Sequence, residues 1–134
     1  MGAISNYYGT RVLNTLLSGE SITPPSAVWL CLYTTEPGAS DVGTEVSGGG
    51  YTRVGVTGQF TAAAVSGGKA TVSNSAKIAF TAATGDWTTA NYWALRTASS
   101  AGNLICYAPL STAKTVSAGD VPSFDVGALT VTLE

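Results

Sequence analysis

The hydrophobic positions of this chain change period once, near its beginning, and the change divides it in two. Tyr8, Val12, Leu13, Leu16 and Leu17 gather on one face of a 3.6-residue period, which predicts a helix over residues 5–18. Ser5 or Asn6 can cap its start by accepting a hydrogen bond from a free backbone N–H. Gly19 can close its end in the left-handed conformation, and Pro24 and Pro25 forbid continuation. A helix this short is marginal alone, so its leucine face must dock, either on its own sandwich or on a neighbouring subunit.

After Pro25 the pattern is that of strands and turns. Residues 27–34 (AVWLCLYT) are apolar on both alternating faces, as a strand covered on two sides requires. Val28, Leu30 and Leu32 face one layer; Trp29, Cys31 and Tyr33 face another, for which the helix is the candidate cover. A polar, glycine-rich stretch follows over residues 36–50, too long for a hairpin turn and of a length usually functional or mobile. Residues 51–57 alternate cleanly. Further strands are predicted at 60–65, 69–73, 76–80, 90–97, 103–108, 114–117, 122–125 and 128–133, separated by Gly-, Asn- and Asp-rich turns. Short strands at steps of about 8–12 residues predict a mainly β fold: an antiparallel β-sandwich, jelly-roll-like, with one N-terminal α-helix. The whole of residues 1–134 reads as one domain, with the sandwich occupying 26–134.

Composition sharpens this. Hydrophobic residues make up 45% of the 134 and charged ones only 10%, against about a quarter charged in ordinary soluble domains. A surface kept wet by Ser, Thr, Gly and Asn loses little on being covered, which suits broad and permanent protein contacts. Six scattered Lys and Arg and a net charge of −2 offer no footprint for nucleic acid. No window approaches the ~18 apolar residues that span a bilayer, and the first residues lack the basic, then continuously apolar, pattern of a signal peptide. The expectation is a protein made in a cytosol, with Cys31 and Cys106 as buried thiols rather than a bridge.

Candidate chemistry is sparse. There is no histidine, which removes the commonest general base and metal ligand. Two isolated cysteines make no zinc site and have no neighbouring base to activate them. Glu36, Asp41 and Glu45 could share a calcium ion, but their spacing fits no calcium-loop pattern and solvated loop charges are the simpler reading. Asp86 beside Trp87, Tyr92 and Trp93 could mark a sugar-binding or sugar-cleaving platform, although a turn aspartate and a core Trp93 are the simpler reading. Gly48, Gly49 and Gly50 lack the Lys-Ser/Thr of a phosphate loop and precede a strand. No catalytic, cofactor or metal residue is therefore assigned, and the chain is read as a non-enzyme.

Five stretches taken together carry a resemblance: Leu30 to Pro37, Gly43 to Arg53 (GTEVSGGGYTR), Ala101 to Ile105, Lys114 to Asp120 and Leu129 to Leu133. In order and spacing they resemble a family of small bacteriophage virion proteins labelled tail-fibre or minor tail proteins. Ala101 stands where many members have glycine, and Arg96 replaces an acidic or apolar residue. The resemblance implies a virion component made in the bacterial host's cytoplasm, a tail-fibre or minor tail subunit or a capsid decoration (cement) protein. Its implied partners are other copies of itself and capsid or tail proteins, with no cofactor, nucleic acid or membrane. The expected contact residues are Tyr7, Tyr8, Leu13 and Leu17 on the helix and Val42 and Val46 on the loop. The alternative is a carbohydrate-binding adhesion module using Trp87, Tyr92 and Trp93.

Overall fold

The computed structural model describes residues 3–133. In chain order its elements are β1 (Ala3–Ile4), α1 (Asn6–Leu17), β2 (Trp29–Tyr33), β3 (Val54–Gly55), β4 (Ala64–Ser66), β5 (Lys69–Ser73), β6 (Ile78–Ala79), β7 (Ala90–Arg96), β8 (Leu104–Lys114), β9 (Ser123–Phe124) and β10 (Thr130–Leu133). They form a five-stranded sheet in the order β1-β8-β7-β2-β3, a three-stranded sheet β10-β5-β4 and a two-stranded pair β6-β9. Every pairing is antiparallel. The fold is mainly β with one helix and a sandwich-like layout, as the turn spacing predicts.

The two-sided strand β2 is the centre of the packing. Leu30 and Leu32 point into the main core, which they share with Trp93 and Leu95 of β7, Cys106 and Ala108 of β8, Ile78 and Phe124 of the β6-β9 pair, and Leu129 just before β10. Cys31 and Tyr33 point the other way, into a second cluster with Ala94 and Leu104, flanked by Tyr92 and Tyr107. No residue of the helix belongs to this second cluster, contrary to the expectation from its pattern, and none of its residues is buried. Both cysteines are free and buried. Burial raises both thiols, Cys106 to about 12, because a thiolate there would lose its water.

Helix ends fall where the sequence puts them. The Ser5 side chain accepts from the Tyr8 N–H, and Gly19 follows the Ser18 cap with φ +73°. Strand ends differ more. The strand expected at 103–108 runs on to Lys114 as one eleven-residue strand, β8, through Pro109, whereas of the strand expected at 114–117 only Lys114 is in a strand. Proline has no N–H for the ladder, and it sits opposite Tyr92 beside a register shift between Ala90 and Tyr92 that accommodates it. β3 and β4 are shorter than the alternation over 51–57 and 60–65 implies.

Candidate functional site

The stretch 36–50 is not an open arm. Thr34 and Thr44 pair through backbone (2.8 Å), the Val46 N–H donates to the Leu32 carbonyl (2.9 Å), and the Val42 N–H closes a turn on Pro37 (2.8 Å). Its far end is held more tightly still. A Cβ on Gly48 would lie 2.3 Å from the Asp86 carbonyl oxygen, and one on Gly49 would lie 2.4 Å from the Gly85 nitrogen. The glycine run therefore lets two backbones touch, an arrangement that the Trp87 indole N–H seals by donating to the Gly49 carbonyl (2.7 Å).

Two arginines fasten the middle of the loop. Arg53 grips Glu45 with two parallel bonds, Nε to Oε2 at 2.9 Å and Nη2 to Oε1 at 2.8 Å. Its Nη1 donates to the carbonyls of Ala98 and Ala101, both at 2.8 Å. Arg96 grips Asp41 in the same way (2.7 and 2.9 Å) and also donates to the Tyr33 hydroxyl and the Ala101 and Gly102 carbonyls. The Ala101 carbonyl thus accepts from both guanidiniums. The Tyr51 hydroxyl donates to Glu45 (2.7 Å) and accepts from the Leu32 N–H (3.0 Å), joining this network to the aromatic core.

The electrostatics follow from that geometry. Burial pushes the Glu45 carboxyl up, but hydrogen bonds from Arg53 and Tyr51 and the arginine charges outweigh it and leave it below its ordinary value. Arg53 and Arg96 are held more firmly charged, chiefly by their hydrogen bonds to Glu45 and Asp41. Tyr51 is raised mainly by burial. Among the described residues, Asp41 (φ 59°) and Ala101 (φ 52°) are the non-glycine residues with positive φ. Both belong to this network, whose bonds hold them in a conformation an L side chain disfavours. The motif stretch from Gly43 to Arg53 is thus a structural clamp, with Asp41 and Glu45 each bound to an arginine rather than arranged around a cation.

The predicted contact residues separate into three places. Leu13 and Leu17 stand on the helix surface, 58% and 80% exposed, and Leu16 beside them is 71% exposed. Tyr7 is exposed and Tyr8 half-buried, their rings edge-on at 5.0 Å, with the Arg11 guanidinium 3.5 Å over the Tyr7 ring. Val42 is exposed at the loop apex, next to the Ala39 and Ser40 that Asn6 contacts at the start of the helix. Val46 is a correction: it is 3% exposed and packs in the main core, because its strand-like backbone beside β2 turns it inward. The sugar platform is also corrected. Trp87 and Trp93 are buried core rings and Tyr92 is half-buried, so no open aromatic face is formed there.

The arginine network was missed as a unit, yet it had a signal. A charged residue inside an apolar strand, as Arg96 is in ANYWALR, needs a buried partner of opposite charge. In this structure the loop's ionised groups bind other parts of the same chain, while apolar helix residues are left on the surface. Residues 3–132 match the family described as podophage GP4 fiber I protein gp80, and the chain belongs to that family. Membership makes it a structural protein of the bacteriophage virion. No curated protein matches it.

Proposed function

We propose that the chain is a subunit of the phage fibre itself rather than a capsid decoration protein, and that it is joined to other virion proteins through its N-terminal helix. The observation that carries this reading is the helix surface. A twelve-residue helix with no buried residue presents Leu13, Leu16 and Leu17 to solvent while anchored mainly through its first turn. Such a helix is marginal in water, and covering its leucines removes apolar surface at almost no charge desolvation. Tyr7, half-turned outward and stiffened by Arg11, and Val42 at the loop apex extend the same kind of contact around the start of the helix.

The test is location and attachment together. Labelled protein imaged in intact particles is expected at the fibres. Density spread over the capsid shell, with a copy number following the capsid lattice, would overturn the fibre assignment. Particles grown with Leu17→Glu are expected to carry markedly less of the protein, although the variant folds.

A further inference from the structure

The two halves of the stretch 36–50 are held by different forces. Residues 45–50 are packed: Val46 sits in the main core, and Gly48 and Gly49 press on the backbone of residues 84–87. None of residues 35–43 belongs to either hydrophobic cluster. They are stiff within themselves instead. A stem pinches them off, with the Thr34 N–H and hydroxyl donating to the Thr44 carbonyl (2.8 and 3.1 Å) and the Thr44 N–H donating to the Thr35 hydroxyl (2.7 Å). Inside the head, the Asp41 and Val42 N–H groups close turns on Gly38 and Pro37. A Cβ on Gly43 would lie 2.6 Å from the Cα of the buried Pro37. Among the described residues, the hydrogen bonds that tie 35–43 to the chain beyond the stem end on two residues. Ala39 and Ser40 accept from the Asn6 backbone and side chain (2.9 and 3.4 Å), and Asp41 takes the Arg96 fork.

We propose that residues 35–43 are a latch: a preformed unit that swings on the Thr34–Thr44 stem and, by closing on Asn6 and Arg96 together, sets the direction in which the helix leaves the sheet. The helix needs such a third point. Ser5 ties its start to two consecutive residues of β8, the hydroxyl donating to the Leu104 carbonyl and the N–H to the Ile105 carbonyl. Ties so close together act as a pivot, and no residue of α1 is buried to resist rotation about it. The latch meets the helix one residue further on. There the Asn6 N–H is one of the donors left unpaired at a helix start, and Ala39 supplies its acceptor. A cavity of about 420 Å³ between the two, lined by Ser5, Asn6, Tyr7, Ser40, Asp41 and Leu104, leaves room for the motion. The Asp41 side chain is 36% exposed, so water competes for the Arg96 fork and the catch can open. Because the head is stiff, the catches at Ala39 and Asp41 let go as one. The latch is read from bonds within the chain and stands whatever the helix meets in the particle.

The test is amide hydrogen exchange of the full chain, followed residue by residue by NMR. Asparagine adopts positive φ as readily as aspartate, so Asp41→Asn weakens only the catch on Arg96. It should speed exchange of the Asn6 N–H, on the other catch, by about tenfold, as losing a charge-assisted hydrogen bond open to water does. The Val42 N–H inside the head and the Val56 N–H, bonded to Val28, should change by less than about twofold. Gly43→Ala forces the head apart from within and should release Val42 first. An Asn6 rate that ignores Asp41→Asn makes the two catches independent and overturns the proposal. So does a Val42 rate that rises with that of Asn6, since the loop would then melt rather than swing. Helix direction is read by spin labels on Leu17→Cys and Val65→Cys in one chain, both exposed positions, while the native thiols are buried. Their distance distribution should broaden in Asp41→Asn; an equally narrow one would leave the helix direction to Ser5 alone and overturn the latch.

Discussion

The loop over residues 36–50 and the helix Asn6–Leu17 differ in the direction opposite to what their sequences suggest. The loop is polar, rich in glycine and long, yet it is fixed by two bidentate arginines, a buried valine and a glycine run pressed against residues 84–87. The helix has an amphipathic pattern and good caps, yet its leucines have no cover within the described chain. Composition describes what a segment can tolerate, and tertiary placement decides what it does. Glycine in the loop marks close approach rather than freedom, and leucine on the helix marks a surface rather than a core.

The most damaging way to break the clamp is to add one methyl group. Gly49→Ala would place a Cβ 2.4 Å from the nitrogen and 2.6 Å from the Cα of Gly85. Neither atom belongs to a side chain that could move aside, so the loop and the residue 84–87 turn must separate. Urea unfolding should show a loss of about 3 kcal/mol or more, in the range kept for core disruption. An unchanged midpoint would mean that the two backbones are not in contact.

Nearly as large is Arg53→Met, which keeps volume but leaves the half-buried Glu45 carboxylate with only the Tyr51 hydroxyl, strips the Ala98 carbonyl of its Arg53 donor and removes one of the two donors to Ala101. The expected cost is about 3 kcal/mol. Arg96→Met should cost less, because Asp41 is the more exposed of the two carboxylates and water can replace the guanidinium. Combining the two variants tests the shared Ala101 carbonyl: a double-mutant cycle should depart from additivity.

Acid probes the same network more gently. The Glu45 carboxyl lies below its ordinary 4.5 in the folded chain, so the unfolded chain takes up the proton first. Its stabilisation is complete above that value and declines as the pH falls through the lower folded value. Stability measured from pH 6 downward should therefore fall below about 4.5, and Glu45→Gln should flatten that limb of the profile. A wild-type profile that Glu45→Gln leaves unaltered would exclude Glu45 as its source.

What could be read from the sequence follows from how local its cause is. Caps at Ser5 and Gly19, the bounds of Lys69–Ser73 and the two faces of β2 depend on neighbours within a few residues, and they fall where predicted. The extension of β8 through Pro109 depends on a bulge in its pairing with β7, and the inward turn of Val46 on how the loop lies along β2. The glycine run and the Glu45–Tyr51–Arg53 set show no mechanism in the sequence, because the contacts that explain them lie far along the chain, as Gly50 against Thr84 and Arg53 on Ala101, or run through a turn. Ala101 is the instructive case. It stands where the resembling family often has glycine, and its φ is +52°. Ala101→Gly should therefore stabilise the chain, by about 1 kcal/mol.

The smallest effect on the folded chain completes the comparison. Leu17→Gln removes a large apolar side chain that is 80% exposed and has no buried neighbour on its helix. In dilute, monomeric protein its unfolding midpoint should shift by no more than about 0.5 kcal/mol, as for other exposed positions. In Leu30→Ala, on the fully buried side of β2, the same kind of loss should cost about 3 kcal/mol. The two leucines differ only in what covers them. If Leu17→Gln destabilised the isolated chain as Leu30→Ala does, the helix would be part of the domain's own core, and its leucines would not be free to hold another subunit.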